Sequence, residues 1–242
     1  MQHRAGESIS IFDLDRTVTK GPTYSKFLLQ TALKLAPWRI ILIPLLLPVF
    51  FLYLAGLISR RRMKEAMHFC MLGSALPRAI AERQADRFAS TLAHNGILPE
   101  ARRQIARERM AGRRIILATA APLLYAAPIG RSLGIADVVA TLPTWRKNRL
   151  RFRIAGENCY GAAKLQRIQA FFDMHGINRE RVHVRFFSDD ASDLPTLGWA
   201  NEAVVVNASA KLVAIARQKG WQILDWRTRG QRNRHQPKVA QA

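Results

Sequence analysis

The sequence predicts an α/β fold in which a doubly wound parallel sheet carries a long helical insertion. From Pro99 onward, short β-branched or apolar runs alternate with helical stretches, which is typical of a parallel sheet with helices on both faces. One further strand, at residues 9–12, stands alone near the N-terminus, and residues 21–96 separate it from the others. Glycines stand at the expected C-terminal caps of three later helices: Gly112, Gly176 and Gly220.

Local composition predicts the individual elements in order. The first strand, ISIF, is rich in β-branched residues and bounded by polar ones, which is typical of a buried strand. Residues 21–96 show helical periodicity with few strand signals. Six further strands are predicted at residues 115–120, 138–141, 150–156, 182–188, 203–207 and 221–226. Helices are predicted at residues 99–112, from Pro122, at residues 162–176, after residue 188 and at residues 210–220.

The charge composition says more about possible binding partners than about the fold. The 38 Lys and Arg residues outnumber the 17 Asp and Glu residues, which gives a formal net charge of +21. This excess favours nucleic acid, an anionic membrane or an anionic substrate as partner. The two cysteines, Cys70 and Cys159, are far apart, which argues against a disulfide framework and fits a reducing, cytoplasmic compartment. No apolar run precedes Ile9, so a secretory signal is not expected.

Acidic and hydroxyl side chains stand where the predicted strands end. Asp13 and Asp15 follow the first strand, Thr119 lies at the end of the second, and Asp189 follows a later one. The carboxyl ends of parallel strands meet at one edge of a sheet, where doubly wound folds bind their ligands. Together with Lys164 from a nearby helix, this set suits Mg²⁺ and a phosphoryl group. Carboxylates can hold the cation or attack phosphorus, while a hydroxyl and an ammonium hold phosphoryl oxygens.

Four short stretches carry a resemblance to a known family: FDLDRTVT, LATAAP, GAAK and SDDASDLP. In this order, each at a predicted strand or helix end, they resemble the haloacid-dehalogenase (HAD) superfamily of phosphohydrolases. The resemblance implies a Rossmann-like HAD core at residues 1–20 and 97–226, a helical cap at residues 21–96, and Mg²⁺ as cofactor. Residues 227–242 are basic and lack apolar periodicity, so they are predicted to be a disordered tail.

The same resemblance implies chemical roles for the site residues. Asp13 would be the nucleophile that forms an aspartyl-phosphate, and Asp15 would be the general acid and base. Lys164 would stabilise both the phosphoryl group and the nucleophile. Mg²⁺ would be held by Asp13, Asp189 and the backbone carbonyl of Asp15, and Asp193 would support the metal site from its edge. The residues assigned to substrate binding are Thr17, Thr119, Ala120 and Lys164.

Three positions depart from the family pattern. Arg16 stands where many relatives have glycine, and Ser188 replaces the usual glycine before the metal-binding aspartate. Asp190 adds a second carboxylate beside Asp189. Asp190 would be either an extra outer ligand or a solvated capping carboxylate, and the capping interpretation is favoured.

An apolar run of 19 uncharged residues lies inside the insertion, at residues 40–58, and a basic cluster follows it at residues 60–64. The run is long enough for a membrane-crossing helix, but also suits a buried cap core or a membrane-embedded hairpin. A single crossing is incompatible with the site, because the site residues lie on both sides of the run. We therefore predict that residues 37–58 dip into one leaflet, with Trp38, Arg39 and the basic cluster at the headgroups. Packing inside the cap or at a dimer interface is the alternative.

The functional hypothesis is a Mg²⁺-dependent phosphomonoester hydrolase that works through an aspartyl-phosphate. The apolar cap is similar to that of subfamily IB hydrolases, which implies a lipid phosphate such as phosphatidylglycerophosphate. It also implies a peripheral or monotopic location at the inner face of the cytoplasmic membrane. A small soluble monoester such as phosphoserine is the alternative substrate. A basic nucleic-acid-binding module is a second alternative, supported by the net charge and by residues 145–153 (WRKNRLRFR), which also suit a solvated hairpin edge. It is less favoured because it leaves the acidic side chains at the strand ends unexplained.

Overall fold

The computed structural model describes residues 8–227 of the chain. The basic tail predicted for residues 227–242 lies, apart from Arg227, outside these described residues. The strands are β1 (Ser8–Phe12), β2 (Ala75–Pro77), β3 (Arg114–Pro122), β4 (Asp137–Arg146), β5 (Arg149–Ala155), β6 (His183–Ser188), β7 (Glu202–Val206) and β8 (Gln222–Leu224). In the described part of the chain they form one eight-stranded sheet in the order β2-β5-β4-β3-β1-β6-β7-β8.

Six of the strands, in the order β4-β3-β1-β6-β7-β8, run parallel to one another. Numbered along the chain, these six follow the order 3-2-1-4-5-6 of a Rossmann-like doubly wound sheet. The predicted α/β class is therefore confirmed. In this topology successive strands are added first on one side of β1 and then on the other. The carboxyl ends of β1, β3 and β6 therefore border the crevice in which such folds bind their ligands.

The central strand β1 contributes side chains to the hydrophobic cores on both faces of the sheet. Ile9 and Ile11 join the cluster on one face of the sheet and Phe12 joins the cluster on the other, because side chains alternate along a strand. All three are fully buried, and the Phe12 ring stacks on Phe187 of β6 with 4.2 Å between centroids. Buried Ser10 donates its hydroxyl to Glu108 (2.6 Å), which satisfies a polar side chain inside this strand.

Helices cover both faces of the sheet. The described helices are α1 (Tyr24–Leu35), α2 (Leu46–Leu54), α3 (Arg60–Leu72), α4 (Arg78–Asn95), α5 (Pro99–Met110), α6 (Leu123–Ser132), α7 (Ala162–Met174), α8 (Leu194–Trp199) and α9 (Ala210–Gln218). The face that holds Phe12 is packed by α4, α5 and α6, and the opposite face by α7, α8 and α9. The insertion between β1 and β3 thus brings α1, α3 and α4 to one face of the sheet, whereas no residue of α2 joins the core.

One part of the predicted sheet is wrong. The sequence predicts that β4 ends at Thr141, but this strand continues to Arg146 and returns directly as antiparallel β5. The turn is made by Lys147 and Asn148, whose positive φ angles (49° and 55°) are those of a two-residue hairpin turn. The short strand β2 extends this antiparallel edge from within the insertion, where few strand signals are present in the sequence.

The apolar run of the insertion lies on the surface. It forms a 3-10 helix, Pro37–Leu45, followed by α2, and this stretch from Pro37 to Leu54 is called the apolar segment below. Its length and mean hydropathy of 1.9 would suffice for a membrane-crossing helix. One side of it is half-buried against α1 and α3, but none of its residues is fully buried, so in the single described chain it is not the core of the cap. Side chains in and beside it that are more than half exposed are Trp38, Ile41, Leu45, Leu47, Phe51, Leu54 and Leu57.

Candidate active site

A cavity of about 120 Å³ opens where β1, β3 and β6 end, and it is called the strand-end cavity below. Its size suits a phosphate-sized group rather than a whole metabolite. The lining residues come from the three strand ends, the start of α7 and the insertion. They are Asp13, Asp15, Arg16, Pro22, Arg60, Thr119, Ala120, Tyr160, Lys164, Asp189, Asp190, Ser192 and Asp193.

A buried lysine bridges two carboxylates at the bottom of this cavity. Lys164 Nζ donates to Asp13 Oδ1 (2.7 Å) and to Asp193 Oδ2 (2.6 Å), and all three side chains are almost fully buried. The two carboxylates raise the pKa of Lys164 against the opposing effect of burial, so this ammonium stays charged. Asp193 Oδ2 also accepts from the Ser188 hydroxyl (2.7 Å), which fixes Asp193 as the partner of Lys164.

Asp189 is held in place by Thr17. The Thr17 hydroxyl lies 3.0 Å from the amide nitrogen of Asp189 and 3.3 Å from Asp189 Oδ1. Thr17 is fully buried and does not line the strand-end cavity. The expectation that Thr17 contacts substrate is therefore corrected, because the geometry gives it a positioning role for Asp189.

Asp15 faces the insertion side of the cavity. Its Oδ1 accepts from the backbone N–H of Thr23 at the start of α1 (2.9 Å). Burial raises the pKa of Asp15, although the Thr23 hydrogen bond and the nearby Lys64 and Arg60 oppose the rise. Asp15 is thus better suited to carry a proton than an ordinary surface aspartate.

Thr119 and Ala120 form the β3 side of the cavity. The Thr119 hydroxyl accepts from the Ala121 N–H (3.0 Å), and the pairing of β3 with β4 shifts register between Thr119 and Pro122. Such an irregularity turns backbone groups at a strand end away from the ladder. This places the predicted residues Thr119 and Ala120 at the cavity wall, as the strand-end argument requires.

The donor set fits a divalent cation. Burial raises the pKa of Asp13 to about 8, with Asp193 and Asp189 adding to the rise and Lys164 opposing it. Burial and neighbouring Asp190 likewise raise the pKa of Asp189 to about 7. Asp193 Oδ1 is buried without a hydrogen-bond partner in the described part of the chain. Three carboxylates around one lysine leave an excess of negative charge, which a hard cation would offset.

Mg²⁺ commonly takes only one or two carboxylates and completes its shell with carbonyl, phosphate and water oxygens. Asp13 and Asp189, with the Asp15 carbonyl, would be the residues to hold it here. Among residues 8–227 no group of three or more His, Cys, Asp and Glu side chains is arranged to hold a metal ion by itself, so carbonyl, phosphate and water oxygens would have to complete the shell.

Asp190 adopts the favoured capping role. Its Oδ1 accepts from the Ser192 N–H (2.8 Å) and begins the short 3-10 helix Ala191–Asp193. Its own N–H donates to the Ser188 hydroxyl (3.2 Å). Ser188, which replaces a glycine of the family pattern, thus ties both Asp190 and Asp193 to the strand end.

The insertion supplies residues that sequence reasoning missed. Arg60 of α3 lies over the Tyr160 ring (4.0 Å), and both line the strand-end cavity. Lys64, one turn further along α3, is buried and donates to the Ala120 carbonyl (2.8 Å). Burial lowers the pKa of Lys64 to about 7. The sequence carries one signal for this burial, because Lys64 stands seven residues, about two helical turns, before the apolar Met71 and so shares its helix face.

These positions correct one expectation about the basic cluster at residues 60–64. The sequence prediction places the whole cluster at lipid headgroups. In the structure Arg60 faces the cavity, Lys64 is buried, and Arg61 donates to Glu65 (3.2 Å) and to the Ile154 carbonyl (3.0 Å). Arg62 is the member of this cluster that is exposed. The helical period scatters neighbouring residues over all sides of α3, so the run of charges does not form one surface.

A doubly wound sheet with two aspartates after its first strand, and a lysine and further aspartates at the neighbouring ends, defines a class of phosphoryl-handling hydrolases. The chain belongs to the haloacid dehalogenase-like hydrolases, since the model of that family matches residues 11–198.

Relatives with known names agree with this family. A phosphoserine phosphatase of Mycobacterium tuberculosis is 32% identical over 117 residues, which are 48% of this chain and 37% of that protein. A probable phosphatase of the same organism is 30% identical over 130 residues, covering 54% and 44%. The chain thus matches less than half the length of these mycobacterial relatives. An inhibition of morphological differentiation protein of Streptomyces azureus is 27% identical over 93% of this chain and 80% of its own length.

Solved structures share the fold. A Bordetella pertussis protein of unknown function superimposes with a TM-score of 0.78 at 23% identity, covering 91% of this chain and 99% of that one. A phosphoserine phosphatase solved as a phospho-aspartyl intermediate analogue gives a TM-score of 0.61 at 15% identity, covering 92% and 94%. At these identities the likeness concerns the fold alone.

Proposed function

We propose that the chain is a Mg²⁺-dependent phosphomonoester hydrolase with Asp13 as its nucleophile. The observation that carries this proposal is the contact of Asp13 with Lys164 (2.7 Å) at the bottom of a phosphate-sized cavity. An ionised Asp13 oxygen would attack phosphorus, and the bond from phosphorus to the ester oxygen would break. Lys164, Thr119 and the Ala120 peptide would hold the phosphoryl oxygens as charge develops on them.

Asp15 would handle the protons of both steps. In its protonated form, favoured by burial, it would give its proton to the departing alkoxide, which leaves as an alcohol. As a carboxylate it would then take a proton from water, whose oxygen attacks the aspartyl-phosphate and releases inorganic phosphate with regeneration of Asp13. Bound Mg²⁺, held by Asp13, Asp189 and the Asp15 carbonyl, would neutralise the charge that otherwise repels an anionic substrate from these carboxylates.

The proposed substrate class is a lipid phosphate such as phosphatidylglycerophosphate. The support is the apolar segment, whose exposed side chains lie on the same insertion that contributes Arg60 to the cavity. A small soluble monoester is the second candidate, supported by the mycobacterial phosphoserine phosphatase among the relatives.

A phosphate-release assay tests both the chemistry and the substrate class. Purified protein with Mg²⁺ is expected to release phosphate from phosphatidylglycerophosphate in mixed micelles at least about tenfold faster than from phosphoserine at equal concentration. Addition of a chelator is expected to stop both reactions. Faster release from phosphoserine would reject the lipid substrate, and no release from any monoester would reject the hydrolase itself.

We further propose that the apolar segment inserts into one leaflet of an anionic membrane, at the inner face of the cytoplasmic membrane. A full crossing is not compatible with the fold, because Asp13 before the segment touches Lys164 after it. Basic residues adjoin the apolar segment: Arg39 stands within it and donates to the Phe69 carbonyl of α3 (3.2 Å), and Arg62 is exposed on α3, which contacts the segment. Near an anionic surface each such charge would contribute about 1 kcal/mol.

Liposome flotation is expected to show this binding. The wild-type chain should float with vesicles of phosphatidylglycerol and phosphatidylcholine, and a variant with Ile41, Phe51 and Leu54 changed to serine should stay in the dense fraction. These three side chains are 62–78% exposed, so the substitutions remove membrane contacts rather than core packing. The matched control changes Met110 and Met174, which are 80% and 81% exposed elsewhere, to serine. Equal flotation of the triple variant, or none by the wild type, would reject the membrane proposal.

A further inference from the structure

Lys64 is a buried lysine that reaches from the insertion into the core. It belongs to α3, is 5% exposed, and donates from Nζ to the Ala120 carbonyl (2.8 Å) and to Asn158 Oδ1 (2.9 Å). The nearby carboxylate of Asp15 favours the charged form of Lys64, but the two described hydrogen bonds of its amine go to neutral oxygens. Burying an amine is costly, so these two hydrogen bonds must compensate for much of its lost hydration.

Without Lys64, the Ala120 carbonyl and Asn158 Oδ1 would not both receive a hydrogen bond. The Thr141 hydroxyl lies 2.9 Å from the Ala120 carbonyl and 3.0 Å from Asn158 Oδ1, while it accepts from the Cys159 N–H (3.0 Å). A hydroxyl has one hydrogen, so Thr141 can donate to only one of these two oxygens at a time. A lysine amine carries at least two hydrogens in either protonation state, and Lys64 is placed to serve both.

The Ala120 peptide depends on these side chains more than a regular strand residue would. The ladder between β3 and β4 pairs Thr119 with Ala140 and then skips to Pro122 and Thr141. Ala120 therefore lies within the register shift, and its carbonyl accepts from two side chains, those of Lys64 in the insertion and Thr141 in β4. The same peptide borders the strand-end cavity beside Thr119.

We propose that Lys64 is a positioning residue that fixes the Ala120 peptide for phosphate binding and fastens the insertion to the core. This inference rests on the hydrolase function proposed above. Both contacts of Lys64 are on the core, at the end of β3 and in the loop before α7, whereas its backbone is on the insertion. The Lys64 side chain thus contributes both to phosphate binding and to docking of the insertion on the core.

The test compares Lys64→Met, which has no donor, with Lys64→Gln, which keeps an N–H₂ group, and with wild type. Arg62→Met is the matched control, since Arg62 is exposed on the same helix. Binding of inorganic phosphate in the presence of Mg²⁺ is measured by calorimetry, together with kcat and KM for p-nitrophenyl phosphate and the melting temperature. We expect the Kd for phosphate and KM to rise roughly tenfold in Lys64→Met and less in Lys64→Gln, with a smaller change in kcat. Arg62→Met should match the wild type.

The phosphate measurement separates this inference from the hydrolase proposal. A melting temperature that falls while the Kd for phosphate stays at the wild-type value would overturn the positioning role. If Lys64→Met does not fold, a Kd for phosphate that stays at the wild-type value in Lys64→Gln would likewise overturn the positioning role. A wild-type protein that binds phosphate through Lys64 but never turns over a monoester would remove the hydrolase proposal and leave the positioning role standing.

Discussion

Asp13→Asn is expected to lower phosphate release by at least roughly 10³-fold while the protein stays folded. The amide is nearly the same size as the carboxylate, so the cavity keeps its shape, but it is too weak a nucleophile to attack phosphorus. Lys164 keeps its second partner, Asp193, at 2.6 Å, so no buried charge is left unpaired. Turnover of p-nitrophenyl phosphate with Mg²⁺ and the melting temperature measure the two parts of this result.

The same substitution is expected to flatten the pH dependence of stability in the metal-free protein. Burial raises the pKa of Asp13 to about 8, so between about pH 4 and pH 8 the folded chain binds a proton that the unfolded chain has released. The free energy of unfolding therefore falls as the pH rises through this window, and the contribution is complete only below it. The amide of the variant binds no proton, so urea denaturation from pH 5 to pH 9 should show a shallower decline for Asp13→Asn.

Asp190→Asn is the control for Asp13→Asn. Asparagine also caps helices, so the hydrogen bond to Ser192 is retained and activity should stay within about threefold of wild type. Full activity in Asp13→Asn, or an equal loss in both variants, would contradict Asp13 as nucleophile.

The sequence was sufficient to predict which strand ends would meet. Asp13, Thr119 and Asp189 each follow or end a run that is apolar enough to be a buried strand, and parallel strands must present their carboxyl ends at one edge. That constraint is topological, so it held although the boundaries of these three strands shifted by one or two residues. The Lys164 contact was implied only by the family resemblance, because an isolated lysine in the first turn of a helix is ordinarily solvated.

Other features depend on three-dimensional context that local patterns do not contain. The hairpin turn at Lys147 and Asn148 lacks the glycine that usually marks positive φ angles, so the sequence does not indicate that β4 and β5 are joined. The sequence assigns Thr17 to substrate binding because of its place in a motif. It assigns residues 60–64 to the membrane surface because they form a run of charges. Which way each side chain points is decided by the helical rotation of α3 and by the burial of Thr17 against Asp189.

Lys164→Met is expected to abolish activity and, unlike Asp13→Asn, to destabilise the fold. Methionine keeps the apolar stem but leaves Asp13 and Asp193 buried and facing each other without the shared cation. Removing one partner of a buried ion pair costs about 3–5 kcal/mol, and loss of one group that stabilises transition-state charge lowers kcat by about 10²- to 10³-fold. Lys211→Met is the matched control, because Lys211 is an exposed lysine in the first turn of α9 and should change neither quantity.

The double variant Asp13→Asn/Lys164→Met identifies the cause of that destabilisation. If the cost of Lys164→Met comes from unpaired carboxylates, neutralising Asp13 removes part of it, so the double variant should be more stable than the sum of the single effects predicts. We expect a coupling of about 1–3 kcal/mol from urea denaturation at about pH 9, where Asp13 is ionised, and without Mg²⁺, whose binding would otherwise offset the same charges. Additivity within about 0.5 kcal/mol would mean that Asp13 and Lys164 do not interact, and the charge balance on which the proposed cation and phosphoryl site depends would then be wrong.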